Sequence, residues 1–149
     1  MTITSPKNTQ IKYLKQLQSK SKLRIRDNCF VVEGVREIEM ALKSRYRFKT
    51  IFISEELYNA ELNLPSDVEI IKISTVVYEY LAYRSGTEGI IGLAESRSHA
   101  LSDLRFKSDS PLILVLESPE KPGNIGAILR TADASSVDAV IIANPITDL

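Results

Sequence analysis

The chain is short of cysteine, histidine and long apolar runs, and each shortage excludes a class of protein. Its one cysteine, Cys29, rules out an internal disulfide framework and suits a reducing, cytoplasmic setting. Cys29 lies in an apolar stretch, so a small buried side chain is expected rather than a nucleophile. His99 is the only histidine. One His and one Cys are too few for a zinc site or a Cys/His catalytic pair, so no metal is expected and His99 reads as a solvated residue. The longest aliphatic run is far short of the roughly 20 residues that span a bilayer. No charged-then-apolar segment opens the chain, and no membrane contact is expected. There is no Gly-x-x-x-x-Gly-Lys loop, and Gly123 with Gly126 does not make a dinucleotide fingerprint.

The 149 residues suffice for one ordinary domain or two small ones, and the 44% apolar content is that of a globular protein. Formal net charge is zero, but its distribution is uneven. Residues 1–26 carry Lys7, Lys12, Lys15, Lys20, Lys22, Arg24 and Arg26 and no acid. The remaining 123 residues hold 12 basic and 19 acidic groups, a balance of −7. A basic end on an otherwise acidic chain points to a local polyanion contact. It fits equally a solvated helix face, and charge alone does not choose between them.

Taken in order, Ser5 and Pro6 precede a helical pattern with Ile11, Leu14 and Leu17 on one side. Asp27–Asn28 marks a turn, Cys29–Val32 a strand, and Glu33–Gly34 its end. Val35, Ile38, Ala41 and Leu42 define a helix, and Thr50–Ile53 a strand. Ser54 before Glu55, Glu56 and Leu57 predicts a capped helix start. Val68–Ile73 reads as a strand, Ser74 caps a helix to about Ala82 with Val76, Val77, Tyr80 and Leu81 available for packing, Arg84–Thr87 is a turn, and Gly89–Ala94 is a strand. This gives four strands and three or four helices before residue 95, an α/β layer structure. Residues 96–110, rich in Ser and charge, read as a linker with a short helix near Leu101–Phe106.

The rest is organised around residues 112–132. Leu112–Leu116 is a continuous apolar run, the pattern of a strand buried on both faces. Pro119 and Pro122 stop it near Glu117. A helix is predicted from Asn124 as N-cap, with Ile125, Ile128, Leu129 and Ala132 on its apolar face. Val137–Ile142 is a second strand, so the unit is a parallel strand–helix–strand crossover, right-handed by the usual rule. Gly126 and Arg130 share one side of the helix. Helical side chains lean toward the N-terminus, so the Arg130 guanidinium is expected over Gly126, near Asn124 and the positive end of the helix dipole. That arrangement suits a phosphate or a hydroxyl losing its proton. Ordinary architecture uses the same residue types: Asn caps many helices, and an Arg on a helix flank is usually solvated.

Pro122–Ala132, PGNIGAILRTA, resembles the first motif of the SpoU/TrmH family of RNA methyltransferases, part of the SPOUT superfamily. The motif core is Asn-x-Gly-x-x-x-Arg followed by Ser or Thr, matched by Asn124, Gly126, Arg130 and Thr131. Ser5–Asn8, the Lys-rich helix, Arg24–Arg26 and Phe30–Arg36 resemble the RNA substrate-binding domain that precedes the catalytic domain in that family, as does the placing of Gly86–Gly92. The resemblance implies an L30e-like α/β/α domain over residues 1–95, a linker over 96–110, and over 111–149 the first βαβ part of a SPOUT α/β-knot domain. It implies transfer of a methyl group from S-adenosylmethionine to a ribose 2′-hydroxyl of rRNA or tRNA. Asn124 would position the hydroxyl or its neighbouring phosphate. Arg130 would hold the phosphate and favour the developing alkoxide; a base role is chemically awkward for a group that keeps its proton. Lys7, Asn8, Lys15, Arg24, Arg26 and Arg36 would hold RNA backbone.

The sequence departs from the family in lacking a Gly-x-Glu-x-x-Gly loop and the Ser-x-Asn segment that is threaded as the knot. Those motifs form the methyl-donor pocket and much of the dimer interface. No cofactor-binding residue is therefore expected in this chain, which should be inactive alone, with S-adenosylmethionine binding and a homodimer belonging to the full-length form. Ser135–Ser136 stands where relatives often have a small residue and then Gly. A non-catalytic RNA-binding module is the alternative. Exposed apolar strand edges are expected of so short a second domain.

Overall fold

The computed structural model describes residues 2–83 and 88–147; the predicted turn at Arg84–Thr87 lies outside the described residues. The chain forms two compact units, Met1–Arg97 and Ser98–Leu149.

In the first unit the order is β1 (Thr2–Ile3), α1 (Thr9–Ser19), α2 (Ser21–Asp27), β2 (Cys29–Glu33), α3 (Val35–Lys43), β3 (Phe48–Ile53), β4 (Glu69–Ile73), α4 (Thr75–Leu81) and β5 (Ile90–Glu95). The strands form one sheet in the order β1-β4-β3-β5-β2. β1, β4 and β3 run parallel, and β5 runs antiparallel to both its neighbours. Alternate residues of each strand feed two cores. Cys29, Phe52, Ile73 and Ile91 pack with Ile11, Leu14 and Leu17 of α1 and Val77, Tyr78 and Leu81 of α4. Ile51, Ile90 and Ala94 pack on the other face with Ile38 of α3. Helices thus cover both faces, and the layers are α/β/α.

The basic N-terminal pattern is not one helix. Its apolar positions stay in register to Leu17, then Lys20 turns extended (φ −120°, ψ 100°) and α2 starts anew. α2 ends on Asn28 in the left-handed region (φ 50°), the conformation Asn tolerates best after Gly. β1 adds a fifth strand that two residues are too few to announce. The helix expected from Ser54 is a single turn: Ser54 O accepts from Leu57 and Tyr58 N–H. Asn59, Asn63 and Pro65 follow too closely to prolong it, and the Ser54 hydroxyl faces Thr75 Oγ1 at 3.4 Å instead of capping.

The second unit holds β6 (Ile113–Glu117), α5 (Pro122–Ala134) and β7 (Ala139–Ala143), with a 3-10 turn at Leu101–Asp103 where a short helix was expected. β6 and β7 are parallel, Ile113 opposite Ala139 through Glu117 opposite Ala143. The expectation that this strand is buried on both faces is not met. Exposure alternates along β6, and Ile113 and Val115 stand 39% and 58% exposed. α5 covers only the face that carries Leu114. A parallel sheet with one uncovered face has an apolar surface still to bury.

Candidate functional site

α5 begins two residues before the predicted cap. Pro122 is its first residue and Lys121 its N-cap, without a side-chain capping bond. Proline is preset for that position and has no N–H to leave unpaired, so it outcompetes Asn124. Asn124 sits inside the first turn, its N–H 3.0 Å from Lys121 O. This helix end therefore offers an anion fewer free amides than expected, because Pro122 has none and that of Asn124 is engaged.

The Asn124 and Arg130 side chains are exposed and have no hydrogen-bond or ionic partner among the described residues. They lie six residues apart, about 9 Å along the axis at 1.5 Å per residue. The guanidinium does not lie over Gly126: a Cβ built there would meet nothing within 4 Å. The gap above Gly126 is open, and both polar groups are free to meet a ligand. Ile125 and Ala132 are buried, whereas Leu129 of the expected apolar face stays 43% exposed. Thr131 Oγ1 donates to Ala127 O at 3.1 Å and is occupied within the helix.

A group that periodicity does not mark stands at the C-terminal strand ends. Glu117 Oε1 accepts from Ser118 Oγ (3.1 Å) and Asn144 Nδ2 (3.0 Å), and Ser118 N–H donates to Ala143 O (2.8 Å). The available signal was position, since polar residues at the carboxyl ends of parallel strands mark ligand crevices in α/β sheets. Between α5 and β6 lies an open cleft of about 380 Å³, lined by Leu114, Ile128, Ala132 and Val137, with the hydroxyls of Thr131 and Ser135. It has no charged lining group.

The six predicted RNA contacts belong to the first unit, where several have structural work. Asn8 Oδ1 caps α1 by accepting from Gln10 N–H at 2.8 Å. Lys15 Nζ donates to Tyr80 O at 2.8 Å and sits 5.2 Å from the Tyr80 ring centre. The Arg24 guanidinium donates to Leu17 O. Arg26 pairs with Asp27 through two bonds of 2.6 and 3.0 Å. Lys7 and Arg36 are exposed, Arg36 in the first turn of α3. Asp27 also accepts from the Tyr13 hydroxyl at 2.7 Å, and that oxygen stands 3.4 Å from Cys29 Sγ. The bonds from Arg26 first, then Tyr13, hold the Asp27 carboxyl at about 2. Burial, then the bonds to Cys29 and Asp27, push the Tyr13 hydroxyl up. Cys29 is buried, and His99 is exposed. Among the described residues no cluster of His, Cys, Asp or Glu could hold a metal ion. No described helix is long and apolar enough to cross a membrane.

Residues 8–92 match a family described as the MRM3-like substrate binding domain, and residues 111–148 match the SpoU rRNA methylase family. The chain is 29% identical over 150 residues to the 23S rRNA (guanosine(2553)-2′-O)-methyltransferase RlmP of Bacillus subtilis, covering 98% of this chain and 56% of that protein. It is 45% identical over 53 residues to the 23S rRNA (guanosine-2′-O-)-methyltransferase RlmB of Haemophilus ducreyi, 36% of this chain and 22% of the relative. Among solved structures, an RNA 2′-O ribose methyltransferase matches with a TM-score of 0.78 and 35% identity, covering 96% of this chain and 55% of the other. An rRNA methyltransferase from Sinorhizobium meliloti matches in fold, with a TM-score of 0.81 at 22% identity, over 99% of this chain and 56% of its own. The chain spans about half the length of the relatives that it matches along nearly all its residues.

Proposed function

The chain belongs to the SpoU/TrmH family of RNA methyltransferases, and from that premise we propose that it supplies the RNA-holding domain and the first half of the methyl-transfer domain of a ribose 2′-O-methyltransferase acting on rRNA or tRNA. The carrying observation is the string Pro122–Ala132 seated after β6 as the first turns of α5, with Asn124 and Arg130 exposed and unpartnered among the described residues. A positive, permanently charged group beside a developing alkoxide or its phosphate lowers the barrier by charge stabilisation. Asn124 supplies an amide nitrogen that donates and a carbonyl oxygen that accepts, to orient the ribose. The open gap at Gly126 lets a backbone phosphate approach the helix closely.

S-adenosylmethionine is the methyl donor of the full-length form in this reading. The residues of this chain do not make its site: the cleft beside α5 is apolar, without a carboxylate or amide to hold a ribose or an amino-acid group. The chain alone is therefore inactive, and the full-length form is a cytoplasmic homodimer. Lys7, Lys15, Arg24, Arg26 and Arg36 bear on RNA backbone, so binding falls steeply with salt. Asn8 contributes through the cap that fixes the start of α1.

The test uses a protein in which this chain is joined to the C-terminal half of its fold. Arg130→Ala there lowers methyl transfer by about 100-fold or more, the size of losing one preorganised charge-stabilising donor, and leaves RNA affinity within a few-fold. Equal loss of binding and transfer would make Arg130 a binding residue and remove the catalytic assignment.

A further inference from the structure

On α4, Val76 and Tyr80, offered for packing by the apolar pattern, stand 63% and 43% exposed while Tyr78 is buried; Tyr83, two residues past the helix end and beyond an extended Ala82, is 89% exposed. An 89% exposed tyrosine buries almost none of its ring. The Tyr80 end lies against the most basic part of the chain. α1 is tied to the end of α4 by Lys15 Nζ on Tyr80 O and by Gln18 Nε2 on Leu81 O, both at 2.8 Å. Lys15 spends one of its three donors on that carbonyl and lies over the Tyr80 ring, which leaves N–H groups for an anion. Lys12, one turn earlier on α1, is exposed. Residues 1–26 have no acid and α4 has Glu79; at the far end the Glu33 carboxylate accepts from Tyr83 N–H at 2.8 Å, so the cationic side of the surface is the Tyr80 end.

Aromatic faces next to ammonium groups suit one kind of partner, a polyanion with free π-faces. Duplex RNA hides its bases in the stack, whereas unpaired bases stack on exposed rings while their phosphates meet lysines. We propose that Tyr80, under Lys15 and one turn of α1 from Lys12, together with the exposed Tyr83 three residues further along the chain, forms a stacking surface for unpaired nucleotides of the RNA substrate. This rests on the reading of the first unit as an RNA-holding domain, and adds that the RNA is held where its bases are splayed out.

The experiment measures binding of the full chain to an unstructured oligouridylate of about 12 nucleotides and to an RNA duplex of similar length, at low and moderate salt. The expected result is tighter binding of the single strand. Tyr80→Ala and Tyr83→Ala each weaken it about tenfold, Tyr80→Phe and Tyr83→Phe retain it, and duplex binding stays constant. Both positions are exposed, and a thermal melt checks that each variant is folded. If the chain binds RNA and the alanine variants bind as well as the parent, the stacking surface is wrong and the RNA-holding reading stands. If the parent binds neither RNA, both fail. A surface that joins two copies of the chain would instead convert dimer to monomer on Tyr→Ala without changing RNA affinity, which also overturns the proposal.

Discussion

Ser136 has a φ of 54°, just past the end of α5, with its N–H on Asp133 O at 3.0 Å. A side chain in that left-handed conformation costs about 1–2 kcal/mol against glycine. Glycine, with no Cβ, adopts that conformation freely, which is the physical reason for the Gly that the family resemblance led one to expect here. Ser136→Gly is expected to stabilise the second unit by about 1 kcal/mol in chemical denaturation, and an unchanged midpoint would show that the serine is not strained. Asp27 gives a pH prediction. Its carboxyl falls from 3.8 to about 2 on folding, so its contribution is present above pH 3.8 and is lost as pH falls toward 2. Asp27→Asn should leave a shallower loss of melting temperature between pH 4 and pH 2 than the parent shows. The same side chain closes a link from Arg26 to Tyr13 and fixes α2 against α1, which residue type and spacing could not show.

At the scale of elements, α5 combines helix signals with one residue that opposes them. Gly126 lies in its interior, where glycine costs about 0.5–1 kcal/mol against alanine, yet open space surrounds its Cβ position. Packing therefore does not require a glycine there. Gly126→Ala should raise stability by about 0.5–1 kcal/mol, while methyl transfer by a protein with the complete fold should fall as the added methyl fills the gap. Stability and activity rising together would show that no substrate uses that gap. The helix start shows how local rules compete: Asn124 and Pro122 are both N-terminal signals, and the proline wins because its φ is preset and it has no N–H to satisfy. The break at Lys20 was less legible, because basic residues continue through it and only the buried set Ile11, Leu14 and Leu17 marks where α1 meets the sheet.

At the scale of the molecule, the two units differ in how much they bury. The first has a five-stranded sheet with helices on both faces. The second has two strands, one helix and exposed Ile113 and Val115. A two-stranded sheet by itself is marginal, and this one rests on a single helix with its other face open. Hydrogen exchange followed residue by residue should therefore exhaust the amides of β6, β7 and α5 well before those of β3 and β5. Uniform protection would mean that another surface covers the second unit in solution. Copies of the chain should also associate through that open sheet when concentrated.

The sequence by itself determined the alternation of strands and helices, the buried set Ile11, Leu14, Leu17 and Cys29 of the first core, and the placing of Asn124 and Arg130 on one helix after a strand. These are short-range properties: hydrophobic period, turn residues and a motif of fixed spacing, all written in neighbouring positions. Only the tertiary structure decided which face of β6 is covered, that Lys15 lies on Tyr80 and Glu117 on Asn144, and that Arg130 leaves the space over Gly126 open. Lys15 and Tyr80 are separated by 65 positions along the chain. Their contact exists because α1 and α4 pack on the same face of one sheet, and no local pattern encodes that pairing.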